Sequence, residues 1–539
     1  MRWDVIGLVL GWTIRVVCVP LSLVGLFSFF TESQDYAIKT YLIPIIIAVF
    51  VSQWFIIRSK KNTSQQRVRD REAFASVALG WIPIILLGSM PFWLGGTFYG
   101  PYHLGEVSFI EILRGLLYSW FESMSGFTTT GATVIDSSVS PVCINALENM
   151  VGENLDCIAE QKRSIILWRS LTQWLGGIGV IMLGLMIFSS ILGGGMNLAR
   201  AELTGPSLSR LGPNLQSTAR RLWLIYSVLT LFELGLLYYL GDMSFFDSVN
   251  YSMTTLASGG FGTTDAGITE FDSAMIESIV MVFMLLTCIN YSLYHLLIAG
   301  RTKEALKDEE LRVYLLIVLV AWIAMSVNLL RTDNYGYSFL ETLRHTAFQA
   351  ISISSTGYSS TDFSTWPVFS QFVLLLLMIV GASAGSTGGG LKVLRIRIAF
   401  ELAKREVLRI IQPKKVIAMR VNEEVIDEEQ VFIVLGMISA WLVLAMSSML
   451  FISFLEPSWS LDDVLSVVVS SLGNTGPALG SYGPTATWSS MGEVTLFWTS
   501  ILMWFGRLEL LTVLVLLHPK TLSLIHISEP TRPLYISYA

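Results

Sequence analysis

The chain has 539 residues, 53% of them hydrophobic and only 14% charged, with a mean hydropathy of +0.60. A soluble domain carries about 25% charged residues, so this composition excludes a soluble protein. The net charge of −6 matters less than its distribution, since 23 of the 35 Lys and Arg residues fall in four segments, 58–71, 199–221, 301–312 and 392–420.

Apolar runs close to the ~20 residues that cross a bilayer recur at 5–30, 38–57, 73–95, 165–193, 219–240, 273–299, 312–330, 367–384, 430–454 and 492–517. They predict an all-α polytopic membrane protein of about ten spans. The first run follows MRWD, lacks a small-x-small cleavage site and is longer than a signal-peptide core, so it is expected to be a retained helix. The basic segments alternate with loops carrying acids such as Glu32, Asp35, Asp136, Glu153, Asp265, Glu270 and Asp362. By the positive-inside rule the basic segments and the N-terminus are cytoplasmic. Cys18 and Cys288 lie in spans, whereas Cys143 and Cys157 share the external loop 136–164, which is compatible with a disulfide or with two free thiols. The five histidines show no ligand spacing, so no metal centre is expected.

Between consecutive basic segments lies a polar stretch too short to span. Each opens with Ser followed three residues later by an acid: Ser108 and Glu111, Ser244 and Asp247, Ser338 and Glu341, Ser460 and Asp463. This is a capping-box pattern, which satisfies the free N–H groups of a helix start. A short apolar helix follows, then "FTTTGAT", "TLASGGF", "SISSTGY" and "LGNTGPA", with glycines at Gly131, Gly259, Gly357 and Gly476. The organisation expected is two introductory helices (1–58) and four repeats of outer helix, re-entrant pore helix and second helix, at 73–198, 217–300, 310–400 and 428–519.

Irregular backbone survives at membrane depth only inside protein or against water. Four such loops are therefore expected to converge on one axis, where rings of carbonyl oxygens can replace the hydration shell of a cation. Inward-pointing, partly negative helix C-termini favour the same sign. The candidate filter is Thr129, Thr130 and Gly131; Ala257, Ser258 and Gly259; Ser355, Thr356 and Gly357; Asn474, Thr475 and Gly476. Asp136, Asp265 and Asp362 follow three of the loops and are expected at the outer mouth, or else as ordinary solvated acids. Simple helix packing through small residues is the competing account of the glycines, and the fourfold recurrence weighs against it.

The stretches "FESMSGFTTTGATV", "WRSLTQWLGGIGV", "GASAGSTGGGLKV" and "MWFGRLELLTVLVLLHP" resemble the Trk-type bacterial potassium uptake subunit, of the superfamily that includes Ktr and plant HKT transporters. The resemblance covers residues 1–519, and the two extra N-terminal helices fit the Trk branch. It implies K⁺ uptake across the bacterial inner membrane through a pseudo-fourfold pore. It also implies a homodimer and a cytosolic nucleotide-binding regulatory subunit that brings the NAD or ATP response, with no enzymatic activity and no cofactor in this chain. K⁺ is then the substrate.

"GASAGSTGGG" has five glycines in ten residues and cannot hold a helix. It does not match a phosphate loop. The resemblance implies a gate here, formed by Gly385, Ser386, Thr387, Gly388, Gly389 and Gly390, with Arg507 as an electrostatic barrier nearby. A pair between Arg507 and Glu509 is the alternative, although residues two apart face away from each other on a helix. Arg169 is expected to brace the filter from behind. No nucleic acid contact is expected. The end, 521–539, reads as translated adapter sequence or a frameshifted terminus. Rival functions are a Na⁺-permeable relative, a secondary transporter with two inverted halves, and an intramembrane enzyme, for which no catalytic constellation is visible.

Overall fold

The computed structural model describes residues 3–60, 70–103, 107–149, 155–179, 215–332, 336–415, 417–422, 424–508, 510 and 512–513. The terminal stretch 521–539 and most of the first two basic segments lie outside them. In chain order the helices are α1 (Trp3–Thr31), α2 (Ile43–Lys60), α3 (Asp70–Leu94), α4 (Phe109–Phe127), α5 (Pro141–Asn149), α6 (Arg163–Ile178), α7 (Leu215–Tyr239) and α8 (Phe245–Leu256). They continue as α9 (Ala274–Thr287), α10 (Tyr291–Ile298), α11 (Glu309–Arg331), α12 (Phe339–Ile353), α13 (Val368–Val380), α14 (Val393–Ile411), α15 (Glu428–Leu455), α16 (Leu461–Gly473) and α17 (Glu493–Arg507). A two-stranded antiparallel hairpin, β1 (Arg420–Val421) with β2 (Glu424–Val425), precedes α15.

α1 and α2 pair as a hairpin, in which the Ser52 hydroxyl donates to the Gly11 carbonyl at 2.8 Å. The hairpin docks on α3 and α6. Glu32, at the end of α1, accepts the Ser164 N–H at 3.1 Å and its hydroxyl at 2.9 Å, which satisfies the start of α6.

The remaining helices close into a ring. Each short helix packs between the helices of its own unit and also on the second helix of the preceding one: α8 on α6, α12 on α9, α16 on α13 and, closing the circle, α4 on α17. The four short helices hold 12 to 19 residues, about 18–28 Å at 1.5 Å per residue, short of a full crossing.

Among the described residues six helices are long and apolar enough to cross a membrane, or seven if one bent pair counts as a span. Two of the ten expected runs do not form continuous spans among the described residues. The run 273–299 breaks between α9 and α10, which meet at 96°. Asn290 restarts the chain there by accepting the Ser292 N–H on its side-chain oxygen at 2.9 Å, while the Cys288 carbonyl turns to Ser383 N–H at 3.1 Å. The run 367–384 gives only the 13 residues of α13 before the chain leaves the helix at Gly381. The runs 165–193 and 492–517 are described only in part.

Candidate functional site

The caps read from sequence place the four loops. Ser108 with Glu111, Ser338 with Glu341 and Ser460 with Asp463 form complete capping boxes. Ser244 accepts the Asp247 N–H, while the Asp247 carboxylate reaches on to the Thr263 hydroxyl at 2.8 Å, beyond the loop. With their starts fixed, the helices end at Phe127, Leu256, Ile353 and Gly473 and release four extended strands of chain.

Those strands interlock in order. A β-carbon on Gly131 would stand 2.1 Å from the Gly259 carbonyl oxygen; on Gly260, 2.4 Å from that of Thr356; on Gly357, 1.8 Å from that of Thr475; on Gly476, 2.3 Å from that of Thr130. Each loop thus leans on the carbonyl of the next, and the fourth leans on the first. All four glycines have left-handed φ, +89°, +79°, +88° and +100°, open to glycine at little cost. The equivalent residue in the second loop is therefore Gly260, one position after the Gly259 taken from sequence, and Ala257 drops back to the rank of Thr128. The positive φ values of Thr129, Ser258 and Asn474, at 53°, 53° and 52°, fix the same register. Ser355, at that rank in the third loop, is not among the positive-φ residues.

Among the described residues the carbonyls of Thr130, Thr356 and Thr475 accept no hydrogen bond, whereas that of Gly259 takes one from the Gln173 amide at 2.7 Å. Gln173 also accepts the Phe261 N–H at 3.2 Å. Behind the first two loops lies a buried ion pair. Arg169, on α6, donates to Glu122, on α4, at 2.6 Å and to the Gly262 carbonyl at 2.9 Å. Glu122 in turn accepts the Thr133 hydroxyl at 3.0 Å and the Val134 N–H at 3.2 Å. Asn474 ties the fourth loop to the first, donating to Thr130 Oγ1 at 3.0 Å and to the Met503 carbonyl at 2.9 Å. Sequence reasoning missed Glu122 and Gln173. The available signal was an acid and an amide inside otherwise apolar membrane helices.

Above the ring, Gly131, Gly260, Gly357 and Gly476 floor an outer cavity that also admits Arg169 and Asp265. Of the three outer acids only Asp265 lines it. Its residue is exposed, but its carboxylate turns inward to accept the N–H groups of Cys157 at 2.7 Å and Ile158 at 3.1 Å. Desolvation and the facing Asp156 carboxylate push its pKa up to about 6. Asp136 and Asp362 cap their own turns instead, accepting from Ser138 N–H at 2.8 Å and Ser364 N–H at 3.0 Å, and Asp136 also accepts the Thr487 hydroxyl at 3.0 Å. Cys143 and Cys157 are joined by a disulfide within the loop 136–164, with Cα atoms 5.3 Å apart. Opening it by Cys157→Ser is expected to cost about 3 kcal/mol through the freed chain. Unfolding in detergent with and without reductant checks this, and identical curves would mean that no bridge forms.

Below the ring, the chain from Gly381 to Lys392 lies directly under the third and fourth loops. A β-carbon on Gly388 would stand 2.2 Å from Ser355 Oγ, and one on Gly389 would stand 2.0 Å from the Gly473 carbonyl oxygen. This segment is tethered to the broken second helix of the preceding repeat, since Tyr291 N–H donates to the Gly385 carbonyl at 3.0 Å. Arg507 donates to the carbonyls of Thr387 and Gly176 at 2.6 Å each and of Gly177 at 2.5 Å, so it bridges the segment to the C-terminal end of α6. The Lys392 ammonium bonds the Gly388 carbonyl. Glu509 lies outside the described residues.

The profile of the family described as TrkH, cation transport protein, matches residues 42–523. The chain belongs to the TrkH cation transport family. The TrkH potassium uptake protein of Halomonas elongata is 34% identical over 480 residues, covering 88% of this chain and 91% of that one. The TrkH protein of Escherichia coli K12 is 32% identical over 524 residues, covering 96% and 99%. The crystal structure of the potassium transporter TrkH from Vibrio parahaemolyticus superposes with a TM-score of 0.79 at 27% identity, covering 97% of this chain and all of that one. Membership of the TrkH family, with the long apolar helices, makes this chain a transmembrane cation transport protein.

Proposed function

We propose that the chain carries K⁺ into the bacterial cell through the ring of four loops. The observation that carries this is the cyclic packing of Gly131, Gly260, Gly357 and Gly476 on the carbonyls of the neighbouring loops. Backbone oxygens at 129–131, 258–260, 355–357 and 474–476 would take the place of the water around the entering ion, at a depth where few other acceptors exist. Restoring growth to a K⁺-uptake-deficient bacterium at low K⁺, with Rb⁺ and Na⁺ fluxes measured beside it, is the test. Growth no better than the empty vector, with folded protein in the membrane, refutes the proposal.

Na⁺ permeation is the second possibility, and one observation favours it. The Gly259 carbonyl is shared with Gln173, so the ring departs from fourfold equivalence.

Gly385–Gly390 is the gate and Arg507 its barrier: the segment obstructs the inner face of the ring, and the guanidinium holds it there. Arg507→Ala removes three bonds to a charged donor, each worth about 1.5–3 kcal/mol. Flux of the chain alone is expected to rise roughly tenfold or more, and unchanged flux in liposomes would remove Arg507 from this role. The resemblance further supports a homodimer in the inner membrane with its N-terminus in the cytoplasm. It also supports a cytosolic nucleotide-binding regulatory subunit on the basic face around α14, where Phe400, Ile410 and Ile411 are exposed.

A further inference from the structure

The gating segment is also held from the cytoplasmic side, by a residue with no role assigned so far. Glu310, the second residue of α11, is 5% exposed. Its Oε1 accepts the Ala384 N–H at 2.6 Å and the Leu394 N–H at 3.2 Å. Those two amides flank Gly385–Gly390, so a single carboxylate oxygen clamps both ends of the loop. A buried acceptor oxygen shared by two N–H donors holds both, since losing it would leave two buried N–H groups unsatisfied.

The clamp continues to the cytoplasmic surface. Asn422, in the turn of the β1–β2 hairpin, accepts the Glu309 N–H at 2.8 Å and donates to Asp308 at 2.9 Å. Asp308 caps α11 by accepting the Leu311 N–H at 3.0 Å. The apolar side chains follow the same line, because Ala384 and Leu394 share one buried cluster with Met419 and Val421. The hairpin, the start of α11 and both ends of the loop are therefore packed as one body.

We propose that Glu310 is the positioning residue that latches the gating loop beneath the ring, and that movement of the β1–β2 hairpin releases it through Asn422. The proposal rests on the reading of Gly385–Gly390 as the gate. The test uses the full chain in K⁺-loaded liposomes with no cytosolic partner, read by Rb⁺ uptake and by the Rb⁺/Na⁺ ratio. Deletion of residues 386–389 sets the unobstructed flux. Glu310→Ala is expected to raise uptake about tenfold, as for leaving a buried N–H without its acceptor. Glu310→Gln, which keeps one acceptor oxygen, raises it less, and Asn422→Ala also raises it. The Rb⁺/Na⁺ ratio stays at the wild-type value in all three.

Wild-type flux in Glu310→Gln and Asn422→Ala, alongside raised flux in the deletion, overturns the latch and spares the gate. A deletion that leaves flux unchanged overturns both. A rise in the Glu310 variants without one in Asn422→Ala overturns the hairpin's part, and a changed Rb⁺/Na⁺ ratio moves Glu310 from the gate to the filter. Should Glu310→Ala aggregate, the other two variants decide the matter.

Discussion

Serine at Gly131 is expected to reduce Rb⁺ uptake at least tenfold and to let the remaining flux admit Na⁺. Two costs combine. A residue with a β-carbon at φ +89° sits in a backbone region costing roughly 1–2 kcal/mol. The β-carbon itself would lie 2.1 Å from the Gly259 oxygen, and no real contact is that short, so the second loop must yield. Because Gly260 leans on the third loop and Gly357 on the fourth, the displacement passes round the ring instead of stopping at its neighbour. Liposome uptake of Rb⁺ against competing Na⁺ measures both effects. A variant with normal uptake and normal discrimination would show that the four loops do not select the ion.

Loss of either member of the Glu122–Arg169 pair is expected to cost about 3–5 kcal/mol of stability, because it strands the other charge in the interior. The two side chains are 0% and 3% exposed. Each also holds a different loop: Glu122 takes Thr133 and Val134 of the first, and Arg169 takes Gly262 of the second. The guanidinium carbon further lies 3.5 Å from the Phe261 ring centroid, a cation–π contact that adds to its anchoring. Glu122→Ala and Arg169→Ala should each lower the thermal midpoint in detergent, and the double variant should fall by much less than their sum. Additive losses would mean that the two act independently.

The parts of this architecture written in local sequence could be read from it, and those written across the chain could not. Ser-x-x-acid caps act within four residues, so Ser108, Ser338 and Ser460 announced their helices, and fourfold recurrence turned ambiguous glycines into a set of equivalent loops. "ASGG" offers two adjacent glycines, and only the backbone angle selects Gly260 over Gly259. The break at 288–290 hides inside an apolar run, because hydropathy does not record where a carbonyl abandons its helix for Ser383. Glu310 was silent for a related reason: its two amide partners lie 74 and 84 residues away.

The order in which the ring closes has a consequence for biosynthesis. Thr130 emerges early, yet the loop that leans on its carbonyl contains Gly476, and the helix that seals α4 is α17, close to the end of the described chain. A ribosome that has released about three quarters of the protein has made three of the four interlocking loops and the Gly381–Lys392 segment, but neither Gly476 nor Arg507. Gly476 and Arg507 are separated by little more than α17, so the residue that closes the ring and the one that fastens the Gly381–Lys392 segment to α6 are delivered almost together. A truncated or stalled product therefore has an open ring, in which the Thr130 carbonyl meets no fourth loop.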